Sequence, residues 1–175
     1  MFIYIILGIF ITVSVVIAGY AIGMIIVPTA FGAMFVPSRP EAVVRMVSFA
    51  QIKPGDRSVD IGSGDGRVVI AMAQAGAEAH GIEVSPLLVW KSRRAIKKAG
   101  LQNRAQIHWG AYQRFNFSAF DVVTVFGDKR VMPVLEEKLP QQLKQGSRII
   151  ANFFTFKLWK PKQRDRDIYV YVAEP

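Results

Sequence analysis

Val59-Asp60-Ile61-Gly62-Ser63-Gly64-Asp65-Gly66-Arg67-Val68 is the stretch on which the reading of this chain turns. An apolar run that ends in an acid, passes through three glycines at alternate positions and opens into Val68 to Ala73 reads as strand, tight loop and helix. Glycine at 62, 64 and 66 lets the backbone adopt positive φ and approach a ligand without a Cβ. The first amides of the following helix are then left facing a crevice, so a small ligand is the expected occupant. A dinucleotide fingerprint would place its third glycine one residue later, as G-x-G-x-x-G. Here the spacing is G-x-G-x-G with an acid two residues ahead of the first glycine.

A second acid strengthens this reading. Glu78-Ala79-His80-Gly81-Ile82-Glu83 reads as the next strand, ending in Glu83, 21 residues beyond Gly62. In a doubly wound sheet that position lies beside the first loop, where a carboxylate accepts both hydroxyls of a ribose. Taken alone, Glu83 has a plain alternative as the cap of the helix that follows it. Together, Asp60, the glycine loop and Glu83 resemble the first motif of class I S-adenosylmethionine-dependent methyltransferases. The resemblance implies S-adenosylmethionine as methyl donor, with Asp60, Gly62, Gly64 and Gly66 around its methionine portion and Glu83 on its ribose. Asp65 is a further candidate for cofactor contact, with capping of the helix as its alternative.

The 175 residues suffice for one domain. Residues 1 to 38 contain no Lys, Arg, Asp or Glu, so the whole net charge of +9 belongs to residues 39 to 175. The absence of cysteine excludes disulfides, thiolate metal sites and a cysteine nucleophile. With only His80 and His108 a histidine-rich metal site is not expected either, so no metal enters the reading.

Met1 to Val27 is an uncharged apolar run. As a helix it is about 40 Å long, against a hydrocarbon core of about 30 Å. A cleaved signal peptide would carry a basic leading region and a shorter apolar core, so the run is expected to remain as a single-pass transmembrane anchor. Arg39, Arg45 and Lys53 follow the span and nothing basic precedes it, which places the rest of the chain on the cytoplasmic or mitochondrial matrix side. The expected organisation is an anchor over 1–27, a linker over 28–39 and a methyltransferase domain over 40–175.

In the domain, Ser38-x-x-Glu41 predicts a capping box for a helix over about 40–50. Phe35 to Ser38 also stands where a segment can close over the methionine end of the donor. Ser85-Pro86 begins a helix running to Gly100. Lys91, Arg93, Arg94, Lys97 and Lys98 occupy one side of it with Trp90, as a solvated face or as a rest on anionic lipid. Arg104 to Trp109, Asp121 to Phe126 and Arg148 to Phe154 read as strands, Val131 to Leu143 as a helix, and Tyr112 to Ser118 as loop. Asp167 to Ala173 reads as a sixth strand returning antiparallel beside the fifth. The predicted fold is α/β, a Rossmann-like, mostly parallel doubly wound sheet with one C-terminal antiparallel strand. It falls one strand short of seven, with residues 155 to 166 unassigned.

Several short runs narrow the resemblance: Phe-Val-Pro-Ser at 35 to 38, Gly-Ile-Glu-Val-Ser-Pro-Leu-Leu-Val-Trp at 81 to 90, Val-Phe-Gly at 125 to 127, Leu-Glu-Glu-Lys-Leu at 135 to 139 and Trp-Lys-Pro at 159 to 161. They resemble the protein-lysine methyltransferases that modify the ATP synthase c-subunit and the adenine nucleotide translocase in mitochondria, and their archaeal relatives. That implies a protein substrate presenting a lysine, at the membrane. Where such enzymes often carry an acid or amide near the adenine amino group, this chain has Ala111, so packing and backbone contacts beside Trp109 are expected to hold the adenine. Phe126, Phe153 and Phe154 are candidates to line a lysine channel and Asp128 to orient the amine. Nucleic acid is disfavoured, because Phe126-Gly127-Asp128-Lys129 stands where an Asn/Asp-Pro-Pro-Tyr/Phe motif would be. A lipid or quinone acceptor and a donor-binding module without turnover stay open from the residues.

Overall fold

The computed structural model describes residues 2–31 and 35–174; within the first helix, side chains are described through Ile22. Helix α1 (Phe2–Phe31) is apolar throughout, and its first 21 residues, Phe2–Ile22, have a mean hydropathy of 2.6 and are all exposed. It runs four residues past the expected end at Val27.

Beyond it, α2 (Pro40–Ala50) leads into β1 (Arg57–Ile61), α3 (Arg67–Gln74), β2 (Glu78–Glu83), α4 (Pro86–Lys98) and β3 (Ala105–Trp109). A short 3-10 turn at Tyr112–Arg114 precedes β4 (Val122–Val125), α5 (Val131–Gln142), β5 (Arg148–Asn152), β6 (Gln163–Asp165) and β7 (Ile168–Val172). The sheet order is β3-β2-β1-β4-β5-β7-β6. The first five strands are parallel and β7 returns antiparallel on β5, with Arg148 opposite Val172. β6 closes the edge antiparallel to β7, so the sheet has the seventh strand that the sequence pattern does not supply.

Alternation along β1 explains the two layers. Val59 and Ile61 face a core shared with Phe117, Leu135 and Leu139, which α5 and the aromatic segment before β4 cover. The opposite face packs Met46, Val69, Met72 and Ile96 from α2, α3 and α4. Asp60, on that second face, is therefore carried into the interior by strand geometry. The crevice where the strand order reverses lies between β1 and β4, at the carboxyl edge.

Three local expectations are corrected. The capping box does not form: Arg39 is the N-cap of α2 without a side-chain bond, and Pro40 supplies the preformed first turn. Ser38 is buried and engaged elsewhere. β4 stops at Val125, one residue before the predicted end. β5 stops at Asn152 rather than Phe154, because Phe153 has φ of +71°, which takes the chain out of the ladder.

Candidate functional site

The carboxyl edge holds a cavity of about 270 Å³ lined by the glycine loop, the ends of β1 and β2, the segment Phe35–Ser38 and the loops after β3, β4 and β5. The loop is shaped by Gly62 N and Ser63 N, which both donate to Ile82 O at 2.9 and 3.0 Å, folding the chain under the end of β2. Its three glycines serve different ends. Gly62 lines the cavity, and a Cβ there would meet nothing within 4 Å. At Gly64 a Cβ would collide with the ring of Phe35, and at Gly66 it would stand 2.9 Å from Ser92 Cβ on α4. Gly64 thus makes room for the Phe35 ring and Gly66 for the approach of α4; neither lines the cavity.

Glu83 lines the cavity and is buried. Its Oε2 accepts from Gly64 N at 2.9 Å and its Oε1 from Ser85 N at 2.8 Å, so one carboxylate ties the glycine loop to the start of α4. Each oxygen keeps a second lone pair for a ligand. Asp60, 5 % exposed, accepts from Thr124 Oγ1 at 2.7 Å across the β1–β4 ladder. Burial pushes its pKa up to about 7; the Thr124 hydroxyl offsets part of this, while the charges of Glu83 and Asp65 add to it. Asp60 therefore holds its proton far more readily than an ordinary carboxyl group, and a nearby cation would return it toward the ordinary range.

Asp65 is different. Arg67 grips it through Nε to Oδ1 at 2.9 Å and Nη2 to Oδ2 at 2.6 Å, and that fork holds its pKa below the usual carboxylate value. Arg67 Nη1 reaches on to Ser38 O at 2.8 Å, while Asn152 Nδ2 donates to Ser38 Oγ at 3.2 Å. The segment Phe35–Ser38 is fastened between the head of α3 and the end of β5 and forms one wall of the cavity.

The far end of the cavity is lined by Tyr112, Phe126, Asp128, Val131 and Phe154, with the Phe126 and Phe154 rings 6.3 Å apart. Asp128 is committed to the start of α5. Its Oδ1 accepts from Arg130 N and Val131 N at 2.8 and 3.1 Å, and its Oδ2 pairs with Arg130 Nη2 at 3.0 Å. Burial opposes ionisation there, but those amides and the guanidinium prevail and keep its pKa low. Trp109 does not line the cavity; its ring is 66 % exposed and its Nε1 donates to Val84 O at 3.0 Å. Phe153 is likewise exposed outside the lining, its ring edge-on to Phe154 at 5.1 Å.

Tyr112 reads as loop in the sequence, yet it is buried against the cavity, and burial, then Asp128, raises its phenol pKa. Its signal is position: segments leaving the carboxyl ends of parallel strands line the crevice of such sheets.

The strand order, the antiparallel return of β7 and the crevice at the carboxyl edge define the Rossmann-like fold of class I S-adenosylmethionine-dependent methyltransferases. Residues 60–163 match the ANTKMT methyltransferase domain, and the chain belongs to that family. It is similar to the ATP synthase c-subunit lysine N-methyltransferase of Rattus norvegicus, 41 % identical over 127 residues that cover 73 % of this chain and 58 % of the relative. To the protein-lysine N-methyltransferase of Saccharolobus islandicus it is 30 % identical over 148 residues, 79 % of this chain and 92 % of that one. The chain spans between half and three fifths of the length of these vertebrate c-subunit methyltransferases. Among solved structures it resembles an RNA methyltransferase from Salinibacter ruber in complex with S-adenosyl-L-homocysteine, with a TM-score of 0.76, 30 % identity and coverage of 79 % of this chain and 94 % of that one.

Proposed function

We propose that this chain is a membrane-anchored protein-lysine N-methyltransferase that uses S-adenosylmethionine, with α1 as the anchor and the domain on the cytoplasmic or matrix side. The observation that carries the reading is Asp60, a buried carboxyl group at the wall of the cavity, bonded to a hydroxyl rather than to a cation. A ligand bearing an ammonium and a sulfonium suits that wall, and the free lone pairs of Glu83 suit a ribose diol. Bound there, S-adenosylmethionine supplies an already activated methyl group. Asp60 and the Gly62 backbone then hold the methionine portion, Glu83 the ribose, and Val84 and Gly110 pack the adenine in place of an acid at Ala111.

On the acceptor side the protein has two tasks, positioning and desolvation. A lysine with a reference pKa of about 10.4 must lose its proton, at a cost of roughly 4 to 5 kcal/mol at pH 7 unless its surroundings disfavour the charge. Phe126 and Phe154 supply the apolar walls for this, and the Tyr112 hydroxyl, kept protonated by its raised pKa, accepts from the neutral amine. Asp128 orients the head of α5 and its Arg130, and in this reading acts on the lysine only through Tyr112.

An RNA acceptor is the second reading, favoured by the Salinibacter neighbour and the charge of +9. Incubation with methyl-labelled donor and membrane extract, followed by separation of protein, lipid and RNA, decides between them. Label in protein, lost on Asp60→Asn, is expected; label confined to RNA or lipid refutes the lysine assignment.

A further inference from the structure

The exposed large apolar side chains of residues 35 to 174 are distributed on one side only. Phe35 leaves the fastened segment, Leu87 and Trp90 begin α4, Trp109 ends β3, and Phe153 and Leu158 follow β5. All six stand at the carboxyl edge of the sheet or in segments leaving it. The remaining three, Val36, Val44 and Val134, lie beside Phe35 or in the first half of α2 and of α5, whose heads are at that same edge. Among the described residues the amino edge exposes none.

These side chains are held out by the fold. Phe153 sits at φ of +71°, a conformation that non-glycine residues rarely adopt, and it is 58 % exposed. Leu158, 87 % exposed, is presented by a loop whose Leu158 and Trp159 amides both donate to Glu136 Oε1 on α5. Trp109 is pinned by its bond to Val84 O, and Trp90 lies under Arg94 at 5.7 Å. Exposed lysines and arginines are set between them: Lys91 and Arg94 on α4, Lys129 before α5, Lys157 and Lys160 around Leu158. Beside Phe153, Asp167 accepts from the Phe153 amide through its backbone carbonyl; Asp165, two residues before it with Arg166 between, pairs with Arg45.

Aromatic and aliphatic groups interleaved with lysine and arginine suit the headgroup layer of an anionic bilayer, where tryptophan collects and basic residues are attracted. Chain length points to the same partner. From Phe31, the last residue of α1, to Phe35 on this rim there are four peptide links, at most about 14 Å. We propose that the carboxyl edge is a lipid-docking face: the ring around the cavity mouth rests on the anionic headgroups of the membrane that α1 enters, so the cavity opens into the interface. This rests on the reading of α1 as an anchor and adds to it the orientation of the domain.

The test uses the full chain in vesicles of phosphatidylcholine and phosphatidylglycerol, with α1 insertion checked separately by resistance to alkaline extraction. Lipids brominated near the headgroup are expected to quench tryptophan emission, and Trp90→Phe and Trp109→Phe are each expected to remove part of that quenching, which excludes Trp159 as its source. The pair Lys91→Glu and Arg94→Glu is expected to lower the docking equilibrium by about tenfold or more. Binding of S-adenosylhomocysteine to that variant, followed by calorimetry, reports whether the donor site is intact independently of docking. Unquenched emission from inserted protein overturns the proposal, as does quenching that ignores the charge reversal.

Discussion

Two acids at the amino edge of the sheet, Asp56 and Asp121, and one at the carboxyl edge, Asp60, are treated in opposite ways. At the amino edge Asp56 accepts from Arg148 Nη2 at 2.5 Å and from Lys53 N at 3.0 Å, and Asp121 accepts from Arg57 N and Lys144 Nζ at 2.9 and 3.1 Å. Every one of those bonds is internal. At the carboxyl edge Asp60 has one hydroxyl for company and a pKa pushed up to about 7. Asp56 and Asp121 are satisfied by their own chain, whereas Asp60 is left short of partners that a ligand brings.

The sharpest break in that contrast would come from Asp60→Asn. Loss of a buried charge that pairs with a ligand cation is expected to cost about 3–5 kcal/mol of donor affinity, some hundredfold or more, with no loss of thermal stability. Calorimetry with S-adenosylhomocysteine beside a melting curve measures both; a destabilised protein with unchanged affinity would make Asp60 structural. Arg148→Met is the mirror experiment. It strands Asp56 and frees Ala50 O and Gln51 O, so stability should fall by about 3 kcal/mol in a denaturant titration while donor affinity stays unchanged.

Glu83→Gln comes next, at about 1–2 kcal/mol of donor affinity. The amide has one oxygen for two amides, Gly64 N and Ser85 N, so Glu83→Ala is the poorer experiment: it would leave both buried donors unpaired and loosen the fold.

Acidity tests the same site. Asp60 holds a proton in the unliganded fold below about pH 7, while the unfolded chain releases it above about 3.8. Its contribution to stability is therefore complete in acid and is lost as pH rises through 7. Donor binding needs the ionised form, so affinity should weaken about tenfold per unit below pH 7, with proton release visible when buffers of different ionisation heats are compared. Flat affinity from pH 5.5 to 7 would remove the ion pair. Thr124→Val is the smallest change. It deletes the one hydroxyl that favours the carboxylate, shifting this pH profile upward at a cost of about 1 kcal/mol.

Much of the frame is legible in the chain. The apolar runs ending in Asp60 and Glu83 and the helix bounded by Ser85-Pro86 and Gly100 each satisfy a local rule, so sequence and structure agree. β6 escapes because Gln163-Arg164-Asp165 is a three-residue polar edge strand whose only signal is its pairing with β7. Ser38 misleads for a related reason. Its local spacing to Glu41 suggests a cap, but its partners Arg67 and Asn152 lie 29 and 114 residues away. Trp109 suggests itself by adjacency alone; at the last position of β3 it is exposed, with its Nε1 given to Val84 O, while Tyr112 lines the cavity. Acids announce themselves by spacing; the groups that pack around them are decided by tertiary contacts that no window of sequence contains.

The fastening of Phe35 to Ser38 has a practical corollary for anyone wishing to handle this domain in water. A fragment begun at the first residue of α2 would discard the ring that covers Gly64 and the carbonyl that receives Arg67, leaving the donor cleft without one of its sides. The scissors have to fall ahead of Phe35, so that the ring and the carbonyl both stay with the cleft.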